Sequence, residues 1–252
     1  MFLTLLAKEL REQWRTWKLI VFLAVFLITG LISPVLAKYT PELLGAIPNL
    51  PAGLAAMIPT PTVADAIAQY VKNTDQFGIL LVLLLTMGSL AQEKERGTAA
   101  MLLTKPVRRS AVVLAKALAG MGVLLAGLLV DGLGCYAYTL VLFAALPPVA
   151  FLLLNLLIFV YLGVFLALAL LASTLARNQG AAAAGAFGAL IVVLVLGSLP
   201  WLSPYSPGKL VEWGVGLMQQ SAFSAWPALG VALSMLALSV AAACWSLERQ
   251  EI

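Results

Sequence analysis

The stretch Gln92 to Lys116, QEKERGTAAMLLTKPVRRSAVVLAK, decides how this chain is read. It sets Glu93, Lys94, Glu95 and Arg96 ahead of a Gly97-Thr98 step, then a short apolar run with Met101 and Leu102, a Lys105-Pro106 stop and the Arg108-Arg109 pair. Gly97 can take the backbone angles that end a helix. The Thr98 hydroxyl can accept from the free N–H groups of the next one, so Ala99 to Thr104 reads as a separate short helix. Pro106 forbids its continuation, because it lacks an N–H and pushes Lys105 out of the helical region. Ser110 offers a cap for a third, longer helix. Glu93 and Arg96 are three apart and can pair on one face, which leaves Glu95 to meet a basic partner and Ala99 to Leu103 to offer apolar surface. The plainer reading of the same residues is a charged loop between two spans.

On either side of this stretch the chain is apolar. Of 252 residues 62% are hydrophobic and only 10% are charged, which excludes a soluble globular domain and implies a polytopic membrane protein. The net charge of +4 matters less than where the lysines and arginines fall. Histidine is absent, which removes the commonest general base and metal ligand. Cys135 and Cys244 lie alone in apolar segments and read as small buried hydrophobes rather than a disulfide or metal pair. No G-x-x-x-x-G-K-[ST] phosphate loop occurs, so a reaction driven by ATP needs the nucleotide on another chain.

The fold expected is an all-α membrane protein with six spans, at about 19–37, 77–91, 112–146, 149–172, 180–199 and 222–245. Residues 1–18 precede the spanning domain, 19–252, as an amphipathic interfacial helix. At about 100° per residue, Leu3, Leu6, Leu10, Trp14 and Trp17 gather on one side of it, and Lys8, Arg11, Glu12, Arg15 and Lys18 on the other. Such a helix lies in the interface plane, with its basic side toward anionic lipid. Prolines at 41, 48, 51, 59 and 61 break the segment after the first span, and Thr62 to Val71 reads as a helix on the outer surface. The second apolar segment is short. The third is too long for a bilayer, so either its start with Lys116 projects beyond the membrane or it bends near Gly132 and Gly134. Gly180, Ala184 and Gly188, beside Ala181, Gly185 and Ala189, form two small-xxx-small rows that favour close helix contact, within the chain or across a dimer. Pro200 to Ser221, broken by prolines and rich in aromatics, reads as short helices dipping into the outer leaflet.

Basic-residue counting gives the orientation. With the N-terminus inside, Lys8, Arg11, Arg15, Lys18, Lys94, Arg96, Lys105, Arg108, Arg109, Lys116, Arg177 and Arg249 are cytoplasmic, against Lys38, Lys72 and Lys209 outside. Asp131 is the one acidic residue deep in an apolar run. It should face the protein interior or a wet path, or be protonated, with a role as a hydrogen bond between helices or as a substrate contact.

Glu93-x-Glu95-x-Gly97-Thr98, then Pro106-x-x-Arg109, then Lys116, resembles the loop between the second and third spans of ABC-2 type permeases. These are the membrane subunits of ATP-driven exporters, broadly like the permease of the nitrous-oxide reductase maturation system. The resemblance is densest over Glu93 to Lys116, with a looser likeness in the N-terminal helix and the six-span layout. It implies an elbow helix at residues 1–18, a coupling helix at Ala99 to Thr104 and re-entrant helices between spans five and six. It also implies an ATPase-coupling set of Glu93, Glu95, Arg96, Gly97, Thr98, Met101, Leu102, Pro106, Arg109 and Lys116. The partners implied are two copies of a cytoplasmic ATPase carrying ATP and Mg, and a second permease, identical or related, in a prokaryotic cell membrane. The chain itself would be a transporter subunit rather than an enzyme, with no metal of its own. Two other classes fit the composition. An ion-coupled secondary transporter calls for several paired ionisable residues at mid-membrane and, in many such folds, an inverted repeat, and an intramembrane enzyme or scaffold for a nucleophile or ligand cluster; the sequence offers Asp131 alone and neither repeat nor cluster.

Overall fold

The computed structural model describes residues 2–45, 60–97 and 108–250, and among these the regular structure is entirely helical. In chain order the helices are α1 (Phe2–Arg15), α2 (Lys18–Gly45), α3 (Val63–Thr86), α4 (Ala91–Glu95), α5 (Arg109–Leu142), α6 (Pro148–Leu175), α7 (Gln179–Ser198), α8 (Lys209–Met218) and α9 (Trp226–Arg249), with a 3-10 turn at Ser203–Tyr205 before α8. Among the described residues six segments are long and apolar enough to cross a membrane: α2, α3 continued through α4, α5, α6, α7 and α9. The chain is a multi-pass membrane protein.

The core explains the arrangement. α6 is buried on all sides from Tyr161 to Ala167 and carries α3, α7, α8 and α9 around it. A helix apolar all round is central in such a bundle. α2 packs along α3 and α5, and Phe26, Tyr70, Leu124, Leu154, Leu162 and Phe165 are wholly enclosed among them.

Several helix limits differ from those read in the sequence. The segment 62–71 is not a separate outer helix but the first turns of α3, with Ala66, Ile67 and Tyr70 buried. Nothing between Val63 and Phe77 is a glycine or proline, so the helix propagates into the span, and its polar residues Asn73 and Thr74 turn inward rather than marking a boundary. α2 continues past residue 37 and holds Pro34 and Pro41 within it. The long third segment is one continuous helix of 34 residues, about 51 Å, without a break at Gly132 or Gly134. The last span starts at Trp226, with Pro227 in its first turn, and runs on past the expected limit of 245 to Arg249.

Candidate functional site: a charged keystone at one end of the bundle

The short helix α4 forms where α3 ends. Met87 to Leu90 turn the chain, and the Ser173 hydroxyl of α6 accepts from the backbone N–H groups of Leu90 and Ala91 at 3.0 and 3.1 Å. These are donors that the start of a helix leaves without intrahelical partners. At the other end Gly97 closes the helix with φ +70°, the left-handed conformation that glycine adopts without steric cost. A separate apolar cluster of Leu90, Val113, Ala117, Leu170, Ala243 and Leu247 lies at this end of the bundle.

Three consecutive side chains of α4 reach three different neighbours, because successive residues on a helix diverge by about 100°. Glu93 Oε1 accepts from Lys116 Nζ of α5 at 2.9 Å and lies 3.5 Å from Lys8 Nζ of α1. Lys94 donates to the carbonyl oxygens of Thr174 and Ala176 at the end of α6 and, at 2.6 Å, to Gln250 Oε1 just after α9. Glu95 accepts from the backbone N–H of Gln179, the first residue of α7, at 3.1 Å, where a carboxylate also suits the helix dipole. Arg109 completes the ring by donating to the carbonyls of Leu247 and Gln250 at the end of α9.

Lys116 is an enclosed charge, 7% exposed. Its ammonium lies between Glu93 and Glu9, with Glu9 Oε2 at 3.0 Å. Glu9 is itself buried, on a third face of α1 that turns toward α5. Burial alone would raise the Glu9 carboxyl, but Lys116 and Lys8 beside it hold it below the ordinary carboxylate range. For Lys8 burial acts downward, and Glu9, Glu93 and Glu12 together overcome it and raise the ammonium. A carboxyl lowered in the folded state stabilises the fold above its unfolded pKa and loses that contribution as pH falls through the folded value. The attachment of α1 is therefore expected to be constant through neutral pH and to weaken in acid, below the ordinary glutamate value of 4.5. Proteolysis of α1 across a pH series, with Glu9→Gln as the comparison that flattens the profile, measures it.

The carboxylates of Glu9, Glu12 and Glu93 lie within 4.8 Å of one another, as a metal site would have them. Lys8 Nζ stands at 3.0, 3.3 and 3.5 Å from Glu9, Glu12 and Glu93, so an ammonium already holds the position a cation would take.

Of the residues read as a coupling set, Glu93, Glu95, Arg96, Gly97, Arg109 and Lys116 are brought to this end, and Thr98, Met101, Leu102 and Pro106 lie outside the described residues, as does the short helix expected at Ala99 to Thr104. Glu95, expected to look outward for a basic partner, instead caps α7. Glu93, read as able to pair with Arg96 on one helix face, pairs with Lys116 and Lys8. Arg96 is exposed. The sequence reading missed Glu9, Ser173, Gln179 and Gln250. Glu9 alone left a signal, falling between the apolar and basic sides of α1.

Asp131 occupies a second polar position, deep in the bundle and fully buried. Thr29 of α2 donates to its Oδ1 at 3.0 Å and Thr74 of α3 to its Oδ2 at 2.8 Å. The same layer holds Asn73 to Ser33 at 2.8 Å and Tyr70 to Asn155 at 2.6 Å, so α2, α3, α5 and α6 are joined by hydroxyl and amide bonds. Asp131→Asn keeps one acceptor and is expected to cost under about 1 kcal/mol; Asp131→Leu strands the Thr74 hydroxyl and is expected to cost about 2 kcal/mol. Unfolding in mixed micelles compares the two, and equal losses would refute the hydrogen-bonding role.

α7 buries only Ala182 and Ala186. Gly185 meets Ala172 of α6, where an added Cβ would stand 3.2 Å from the alanine methyl, so this position serves contact within the chain. Gly180, Ala184 and Gly188 are exposed, and nothing lies within 4 Å of a Cβ built on Gly188.

Comparison with known proteins agrees with this architecture. The family model described as ABC-2 family transporter protein matches residues 3–252. The chain is 30% identical over 114 residues to the uncharacterized transmembrane protein YxlG of Bacillus subtilis (strain 168), an alignment that covers 45% of this chain and 44% of that protein. It thus spans less than half the length of that relative.

Proposed function

The chain belongs to the ABC-2 transporter family, and from that premise we propose that it is the permease subunit of an ATP-driven exporter, working with two copies of a separate cytoplasmic ATPase that carry the ATP and Mg. The observation that carries this reading is the keystone α4. Its side chains tie α1, α5, α6, α7 and α9 to the start of the segment 98–107, so a push on that segment is passed to five helices at once. Residues 99–104 are the coupling helix in this reading, α1 is the elbow, and the turn at Ser203–Tyr205 with α8 forms the re-entrant element of the outer leaflet. Residues 19–252 act as one permease domain. The permease works as a two-fold dimer, homomeric or with a related chain, through the first and fifth spans. The exposed row Gly180, Ala184 and Gly188 on the thinly covered α7 supports that contact. The location is a prokaryotic cell membrane with both termini cytoplasmic, the side marked by twelve of fifteen basic residues.

The experiment is transport and ATP hydrolysis measured side by side in proteoliposomes, with the ATPase that co-purifies from the native host. Arg96→Glu reverses an exposed charge without touching the ties of α4, and Leu102→Pro breaks the expected coupling helix. Both are expected to cut transport tenfold or more, about 1.4 kcal/mol or greater, while the membrane domain stays folded. Glu42→Lys, at the far end of α2, is the control. Normal coupling in both variants, or an equal loss from Glu42→Lys, overturns the reading.

A further inference from the structure

We propose that the corner between α1 and α2 is a binding site for one anionic phospholipid, its phosphate held at Lys18 and its acyl chain laid in the groove between α2 and α3. The groove is a cavity of about 250 Å³ lined by Val21, Phe22, Leu81, Leu84 and Leu85 and, from the corner itself, by Thr16, Trp17 and Lys18. An apolar trough that opens at a cation matches an acyl chain that ends in a phosphate, and a second protein helix would not need the charge.

The cations at this corner are also uncommitted. The carboxylates of α1, Glu9 and Glu12, are both within reach of Lys8, whereas Arg11, Arg15 and Lys18 make no hydrogen bond or ion pair among the described residues. The chain turns from α1 to α2 through Trp17, which sits at φ +60° and is 65% exposed. A bulky residue is rarely found in the left-handed region. Tryptophan's preferred place is the headgroup level of a bilayer, beside which Lys18 would meet the phosphate. The site depends on the chain spanning a membrane and not on its being a permease.

The test is photo-crosslinking in reconstituted vesicles, using phosphatidylglycerol and phosphatidylcholine that carry a diazirine in the acyl chain. Phosphatidylglycerol is expected to label peptides from 17–22 and 81–85 in preference to phosphatidylcholine, by about fivefold. Lys18→Gln should abolish the preference and leave residual labelling. Leu84→Trp, at an exposed position that fills the trough, should remove labelling by both lipids. Equal labelling by the two lipids, or a preference that survives Lys18→Gln, means a groove filled by any acyl chain and overturns the proposal. No labelling of either peptide in the unsubstituted protein means that a second copy covers the groove, and overturns it too. Because the readout is chemical, a loss of transport in any variant leaves the result unaffected, and a negative result leaves the permease reading untouched.

Discussion

Lys116→Met is expected to destabilise the protein by about 3 kcal/mol and to loosen α1 from the bundle, because it leaves Glu9 and Glu93 in a poorly solvated site with only the half-exposed Lys8 to share. The Lys116, Glu9 and Glu93 side chains are 4%, 7% and 16% exposed, so solvent screens the loss little. The double variant Lys116→Met with Glu9→Gln should recover a large part of it, since Lys8 then has one buried carboxylate fewer to neutralise. Denaturant unfolding in mixed micelles, with protease cleavage within α1 as the local readout, measures both. If the single and double variants lose the same amount, Lys116 acts by packing alone.

Gly30→Ala is expected to be nearly as damaging although it adds one methyl group. A Cβ at Gly30 would lie 2.2 Å from the backbone oxygen of Asp131, and backbone cannot swing aside as a side chain can. α2 and α5 would have to separate, which pulls Thr29 away from the Asp131 carboxylate. A loss of about 3 kcal/mol follows, at the upper end for overpacking. Gly188→Ala is the matched control. It meets nothing within 4 Å and removes a helix glycine, so it should leave the isolated chain as stable or more so by up to about 1 kcal/mol. Comparable losses at both positions would show that helix propensity, not close approach, sets the cost.

The six spans, the amphipathic α1 and the helix stop at Gly97 could all be read from the chain, because each rests on local periodicity or on one residue's backbone preference. The limits of α3 could not. Lys72 to Gln76 look like a membrane boundary in sequence, and only the partners supplied by α2 and α5 show why Asn73 and Thr74 belong inside. The charged stretch was legible as important but not in its connections. Glu93, Lys94 and Glu95 find their partners 23 to 156 positions away, and neither the spacing nor the type of Gln179, Ser173 or Gln250 announces such a meeting. Asp131 was correctly expected in the interior, since a carboxylate in an apolar run has few other places to go.

Because α4 sends Glu93, Lys94 and Glu95 to three separate bodies, its composition and its length are under different constraints. A substitution at one of the three breaks that side chain's own contacts and spares those of the other two. One residue inserted or deleted between Leu90 and Glu93 would turn every following side chain by about 100° and misdirect all three together. The tolerance of this helix to mutation therefore lies in which residues it uses, and hardly at all in how many.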